Sequence, residues 1–228
     1  MQFLQLFTLA RLLIAIYAQI CPDTEIAFLF DQSENARAAS TNGSHNFTIR
    51  FHILREQVTI ALKNSRILNT PSYVNIRIGG YGYSNDVMSV IPPGSSPAAA
   101  IDSLVNGLFL ISNGGSWTYR GLHGITSGPT YTNNRLIVIS SQGSGNTNRR
   151  LLAQLEAQRV RSLGWNITVI AVKGKHAIDL QELTVVKNNQ PPILINDTTN
   201  TTDPKSYRLL QPELDNIINS LCNVSPTC

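Results

Sequence analysis

The chain is poor in charge, in cysteine and, beyond its first residues, in long apolar runs. Charged residues make up 14% of its 228 positions, against 42% hydrophobic. That excludes a highly charged disordered chain and leaves enough apolar material for a sizeable core. The formal charge of +4 is mild, and no five lysines or arginines stand together. The densest basic spots, Arg149-Arg150 and Arg159 to Arg161, read as a solvated helix face, so no nucleic-acid partner is expected. Cys21, Cys222 and Cys228 fit no zinc spacing. His45, His52, His123 and His176 form no His-x-x-x-His pair, and no G-x-S-x-G elbow marks a nucleophile. The chain is therefore not expected to be an enzyme. No internal repeat is present, and no stretch after the N-terminal segment is apolar for long enough to span a bilayer.

What is there begins with residues 1–18, which read as an export signal. Leu12 to Ile16 form a short apolar core, and Ala18 is a small residue suited to cleavage. Six sequons agree with secretion: Asn42, Asn46, Asn166, Asn196, Asn200 and Asn223, the last weakened by Pro226. In an oxidising compartment Cys21 could pair with Cys222 or Cys228, or the latter two with each other. One thiol is left over in each case and would allow a disulfide-linked dimer. Residues 21–222 read as one domain and 223–228 as a short tail.

Within the domain, strands alternate with helices. Ile26 to Phe30 form a continuous apolar run ended by Asp31. Phe47 to Ile67 carry a broad apolar face at helical spacing. Val74, Ile76 and Ile78 alternate as a strand towards Tyr83, with a bulge or close packing expected at Gly79-Gly80. Val87 to Ile91 read as a short edge strand closed by Pro92-Pro93. Ile101, Leu104, Val105 and Leu108 mark a helix, and Asn113 to Leu122 a glycine turn leading into another. Leu136 to Ser140 is a strand, Arg149 to Leu163 a helix stopped by Gly164, and Ile167 to Val172 a strand. Asp179 to Val186 and Pro212 to Leu221 are helical, with a short strand at Ile193 to Ile195 between them. This order predicts a doubly wound α/β fold: a mainly parallel six-stranded sheet, helices on both faces, one short antiparallel edge strand.

A run buried on both faces belongs to the middle of such a sheet, and ligands bind just beyond the carboxyl ends of its strands. Asp31, Ser33 and Asn35 stand at that place after the first strand. Their spacing gathers three oxygen-bearing side chains, which suits a hard cation such as Mg²⁺. It equally suits a loop whose side chains bond only its own backbone.

Three strand-end loops together carry a resemblance. Asp31-Gln-Ser33-Glu-Asn35 is similar to the Asp-x-Ser-x-Ser loop of von Willebrand factor type A domains. Gly114-Gly115-Ser116-Trp117-Thr118-Tyr119-Arg120-Gly121-Leu122 resembles their Gly-Gly-Thr-x-Thr-Gly-x-Ala-Leu loop, and Ile139-Ser-Ser-Gln142-Gly143 their apolar strand ending in Thr-Asp-Gly. The likeness spans Cys21 to Cys222. It implies a Rossmann-like fold, a Cys21–Cys222 bridge and a Mg²⁺ site built on Asp31, Ser33 and Ser116. Asn35 and Gln142 depart from the pattern, and Gln142 replaces an aspartate. The metal is therefore expected to be weak or lost, unless Glu34 turns inward to replace the missing charge. The resemblance further implies an extracellular module that binds a protein partner, matrix proteins being common partners in that family, through Asp31, Ser33, Asn35, Ser116, Trp117, Tyr119 and Gln142. An assembly role through the odd cysteine is a second reading, and a secreted α/β hydrolase a third.

Overall fold

The computed structural model describes residues 23–33, 58–63, 76–106, 114–133, 135–141, 143–171, 177–194 and 210–220. Six strands form one sheet: β1 (Thr24–Asp31), β2 (Ile76–Tyr83), β3 (Val87–Ser95), β4 (Arg135–Ser141), β5 (Trp165–Ala171) and β6 (Ile193–Leu194). Their order is β3-β2-β1-β4-β5-β6. All neighbouring pairs are parallel except β2 with β3. The helices are α1 (Pro97–Asn106), α2 (Thr118–Thr126), α3 (Thr147–Ser162), α4 (Leu180–Val186) and α5 (Leu210–Ser220), with a further helical segment at 58–63. The mainly parallel sheet with one antiparallel edge is the fold expected from the sequence.

Successive side chains of a strand point to opposite faces, and β1 supplies both cores. Ile26, Phe28 and Phe30 enter one, with Val58, Ala61 and Leu62 of the 58–63 segment, Ala100, Ile101 and Leu104 of α1, and Leu214 and Ile218 of α5. Ala27 and Leu29 enter the other, with Leu122 and Ile125 of α2, Ala153, Ala157 and Val160 of α3, and Leu183 and Val186 of α4. Every residue of β1 is buried, which explains its lack of apolar–polar alternation.

Two sequence expectations need correction. Strand β3 does not stop at Pro92-Pro93 but runs through them to Ser95. An edge strand needs ladder donors on one side only, so two prolines are tolerated there. Val105 is half exposed: the buried face of α1 is Ala100, Ile101 and Leu104. The bulge expected at Gly79-Gly80 is present, as register shifts on either side of Gly80. The cysteines, residues 1–18, 223–228, Asn42, Asn46, Asn196 and Asn200 lie outside the described residues, whereas Asn166 is exposed on β5. Among the described residues no helix is long and apolar enough to cross a membrane.

Helix α2 packs closely over β1 and β2. A Cβ at Gly121 would stand 2.8 Å from Leu29 Cδ1 and 3.0 Å from Tyr83 Cδ1. Gly121→Ala must therefore lift α2 from the sheet. It is expected to cost roughly 1–3 kcal/mol, read as a lowered denaturant midpoint. An unchanged midpoint would show that the helix is not tightly seated.

Candidate functional site

The carboxyl end of β1 carries the site. Asp31 is its last residue, and its carboxylate is an acceptor shared by three loops. Oδ1 accepts from the Ser33 amide at 3.0 Å. Oδ2 accepts from Ser116 Oγ at 2.9 Å and from Ser141 Oγ at 2.8 Å. Ser33 is in the first loop, Ser116 in the loop before α2, and Ser141 at the end of β4. Ser141 Oγ also accepts from the Gly143 amide at 2.9 Å, which folds the third loop back over the strand end. Ser33 and Ser116 are fully buried, and Asp31 is nearly so. Burial raises the Asp31 carboxyl pKa above its ordinary value, while the bonds from Ser33, Ser141 and Ser116 work against that rise.

The structure thus unites Asp31, Ser33 and Ser116, as expected. Asn35 and Gln142, with Glu34, lie outside the described residues. Trp117 stands beside Ser116, its ring centroid 5.6 Å from that of Tyr119. Tyr119 belongs to the first turn of α2 rather than to a loop.

A second buried carboxylate escaped the sequence reading. Glu182 of α4 is fully buried. Its Oε1 accepts from Thr118 Oγ1 at 2.6 Å, and its Oε2 from the Ser144 amide at 3.0 Å and the Ser144 hydroxyl. It joins the second loop to the third from below, as Asp31 does from the strand end. Burial raises its pKa too, against the hydrogen bonds from Ser144 and Thr118. Tyr83, fully buried, feels both carboxylates: desolvation and then the Asp31 charge push its phenol well above the usual value. The hidden signal is position. Glu182 precedes Val186 by one helical turn, on the apolar stripe of α4. In the sequence Glu182 falls inside the helix read over Asp179 to Val186 and belongs to no motif; its amide donates to Asp179 Oδ1 at 3.1 Å, which caps α4.

For a divalent cation this donor set is rich in hydroxyls and poor in charge. Asp31 is the site's acidic residue from the expected metal loops, and it already accepts three hydrogen bonds. Glu182 is committed to Thr118 and Ser144. Among the described residues no three His, Cys, Asp or Glu side chains gather to hold an ion. The described residues do not fit a tightly bound divalent metal.

No protein-family model matches the chain, and no curated protein matches it in sequence. Solved structures do match its fold. Proximal thread matrix protein 1 of the mussel byssus superposes with a TM-score of 0.62 at 15% identity, over 90% of this chain and 49% of that one. This chain thus spans about half the length of the mussel protein, which has also been solved with a zinc-occupied MIDAS motif. The vWF domain of the type V pili tip protein Mfa5 from Porphyromonas gingivalis matches with a TM-score of 0.60 at 12% identity, over 89% of this chain and 96% of that one. The manganese-loaded TRAP protein of Plasmodium vivax gives 0.52 at 14% identity, over 86% and 75%. At these identities the likeness establishes the fold, which is that of a von Willebrand factor type A domain.

Proposed function

We propose that this chain is a secreted, extracellular protein-binding module. Its binding face is the carboxyl end of the sheet, and recognition does not depend on a bound metal. The observation that carries this reading is the Asp31 node, whose hydrogen bonds from Ser33, Ser116 and Ser141 tie three strand-end segments together. A preorganised face loses less conformational freedom on binding. Similar folds occur in a byssus matrix protein and a pilus tip protein, both named for extracellular structures. A binding role also suits the chemistry. The Ser116 and Ser141 hydroxyls donate to the Asp31 carboxylate, and His123, the histidine among the described residues, faces Glu156 at 3.2 Å.

The two ends of α3 provide the test. Asn148 lies in its first turn at the proposed face, and Leu163 caps its other end. Both are exposed. A photoreactive residue is placed at one or the other in the full chain. The protein is then applied to intact extracellular matrix from the source organism. Discrete adducts are expected from position 148, undiminished by EDTA, and few from 163. Equal adducts from both ends, or none from 148, would refute the reading, and loss in EDTA would refute its metal independence.

A further inference from the structure

Trp117 lies between two guanidinium groups from different elements. Arg120 Cζ of α2 is 4.5 Å from the indole centroid, and Arg149 Cζ of α3 is 4.4 Å from it. The two arginines are engaged differently. Arg120 donates from Nε to Tyr119 Oη at 3.2 Å and from Nη1 to the Asn85 carbonyl, and Nη1 also lies 3.6 Å from Asp86 Oδ1. The Arg149 side chain makes no hydrogen bond or ion pair among the described residues, where it lies against the indole and Gly115.

Arg149 is nevertheless held in place. Asn146 caps α3 by accepting from the amides of Asn148 and Arg149 at 3.0 and 3.1 Å, which fixes where the side chain starts. Its Nη1 lies over Gly115, where a side chain would collide with it. The guanidinium therefore sits against the second loop, beside Ser116. A guanidinium stacked on an indole uses its face, leaving its in-plane N–H groups free, and that planar fork matches a carboxylate. Among the described residues the nearby acids do not neutralise it. Asp31 and Glu182 are buried and bonded, Asp86 pairs with Arg120, and Asp179 lies 3.2 Å from Arg150.

Resting on the binding-module reading above, we infer that Arg149, braced by Trp117, receives an acidic side chain of the protein partner directly. One free fork suits one carboxylate. A sulfated polysaccharide would call for a continuous basic field, and the chain has no run of five basic residues.

The probe is the peptide acetyl-Gly-Glu-Gly-amide, titrated into the full chain and followed by tryptophan emission. Trp165 is 3% exposed and serves as a constant background, and Trp117→Phe assigns the signal. A saturable change is expected, about tenfold weaker with the Gln peptide, absent in Arg149→Gln and about tenfold weaker in Arg149→Lys, which keeps the charge but not the fork. Thermal midpoints equal to the native one show that the variants are folded. No response, equal binding of both peptides, or binding retained in Arg149→Gln would overturn the inference. A sulfated disaccharide binding tenfold more tightly than the peptide would also overturn it. Crosslinking from position 148 separates the two readings. Undiminished adducts in the Arg149→Gln background sink the arginine's role and leave the module, whereas no adduct in the native background sinks the module itself.

Discussion

Glu182→Ala is expected to lower stability by about 2–4 kcal/mol, and Glu182→Gln by less than about 1 kcal/mol. Alanine strands the buried Thr118 hydroxyl and the Ser144 amide, and it leaves a void under two loops. Glutamine keeps a carbonyl for the Ser144 amide and an amine that the Thr118 oxygen accepts. The pH dependence follows from the raised carboxyl. Burial makes the folded state bind the Glu182 proton more tightly than the unfolded chain does. That contribution is complete below the unfolded value of about 4.3 and is lost as pH rises through the higher folded value. Asp31 acts in the same sense. Glu156 acts oppositely: burial alone would raise it, but the hydrogen bond and charge of Arg159 hold it below its ordinary value. The readout is therefore the difference between native protein and Glu182→Gln in thermal midpoint. It should move in favour of the native protein between pH 7 and pH 5. A difference independent of pH would show Glu182 to be ionised in both states.

The second large effect concerns Mg²⁺. The native chain is expected not to bind it at micromolar concentration, and Asn35→Ser with Gln142→Asp is expected to create binding. A divalent ion about 5 Å from one further carboxylate gains roughly 2–7 kcal/mol of gross Coulomb energy at effective dielectric constants between about 80 and 20. A net share of about 3 kcal/mol changes affinity roughly a hundredfold. Asp31 brings one charge, and burial raises its pKa, so a proton competes with the ion for that carboxylate. In the double variant, the further change Asp31→Asn should remove the new binding while keeping an acceptor for Ser33. Calorimetric titration of the three proteins decides the matter. Micromolar binding by the native chain would show that Asn35 and Gln142 complete a working shell.

The sheet was legible in the sequence because its strands announce themselves by burial. The run from Ile26 to Ser33 stays buried, and Gly79-Gly80 marks where β2 packs closely against the irregular stretch of β3. Asp31 and Ser33 are legible because they stand where a strand stops, and Ser116 through the likeness of its glycine loop to that of von Willebrand factor type A domains. Ser141 was read as a loop residue, since nothing in its neighbours shows that it remains in β4. Glu182 stays hidden in the sequence because it stands on the buried side of α4, away from the strand-end loops. The Trp117–Arg149 contact joins residues 32 positions apart on different elements, and no periodicity reports such a meeting.

The prolines of β3 have a consequence for crowded fluids. An open strand edge is a template on which another copy can add a strand, and such addition propagates into fibres. Here one edge is β3, in which Pro92 and Pro93 lack the N–H that an incoming strand would need. The other is β6, only two residues long. Among the described residues neither edge offers a long unbroken ladder. At high concentration the chain is thereby kept from the endless backbone pairing of amyloid.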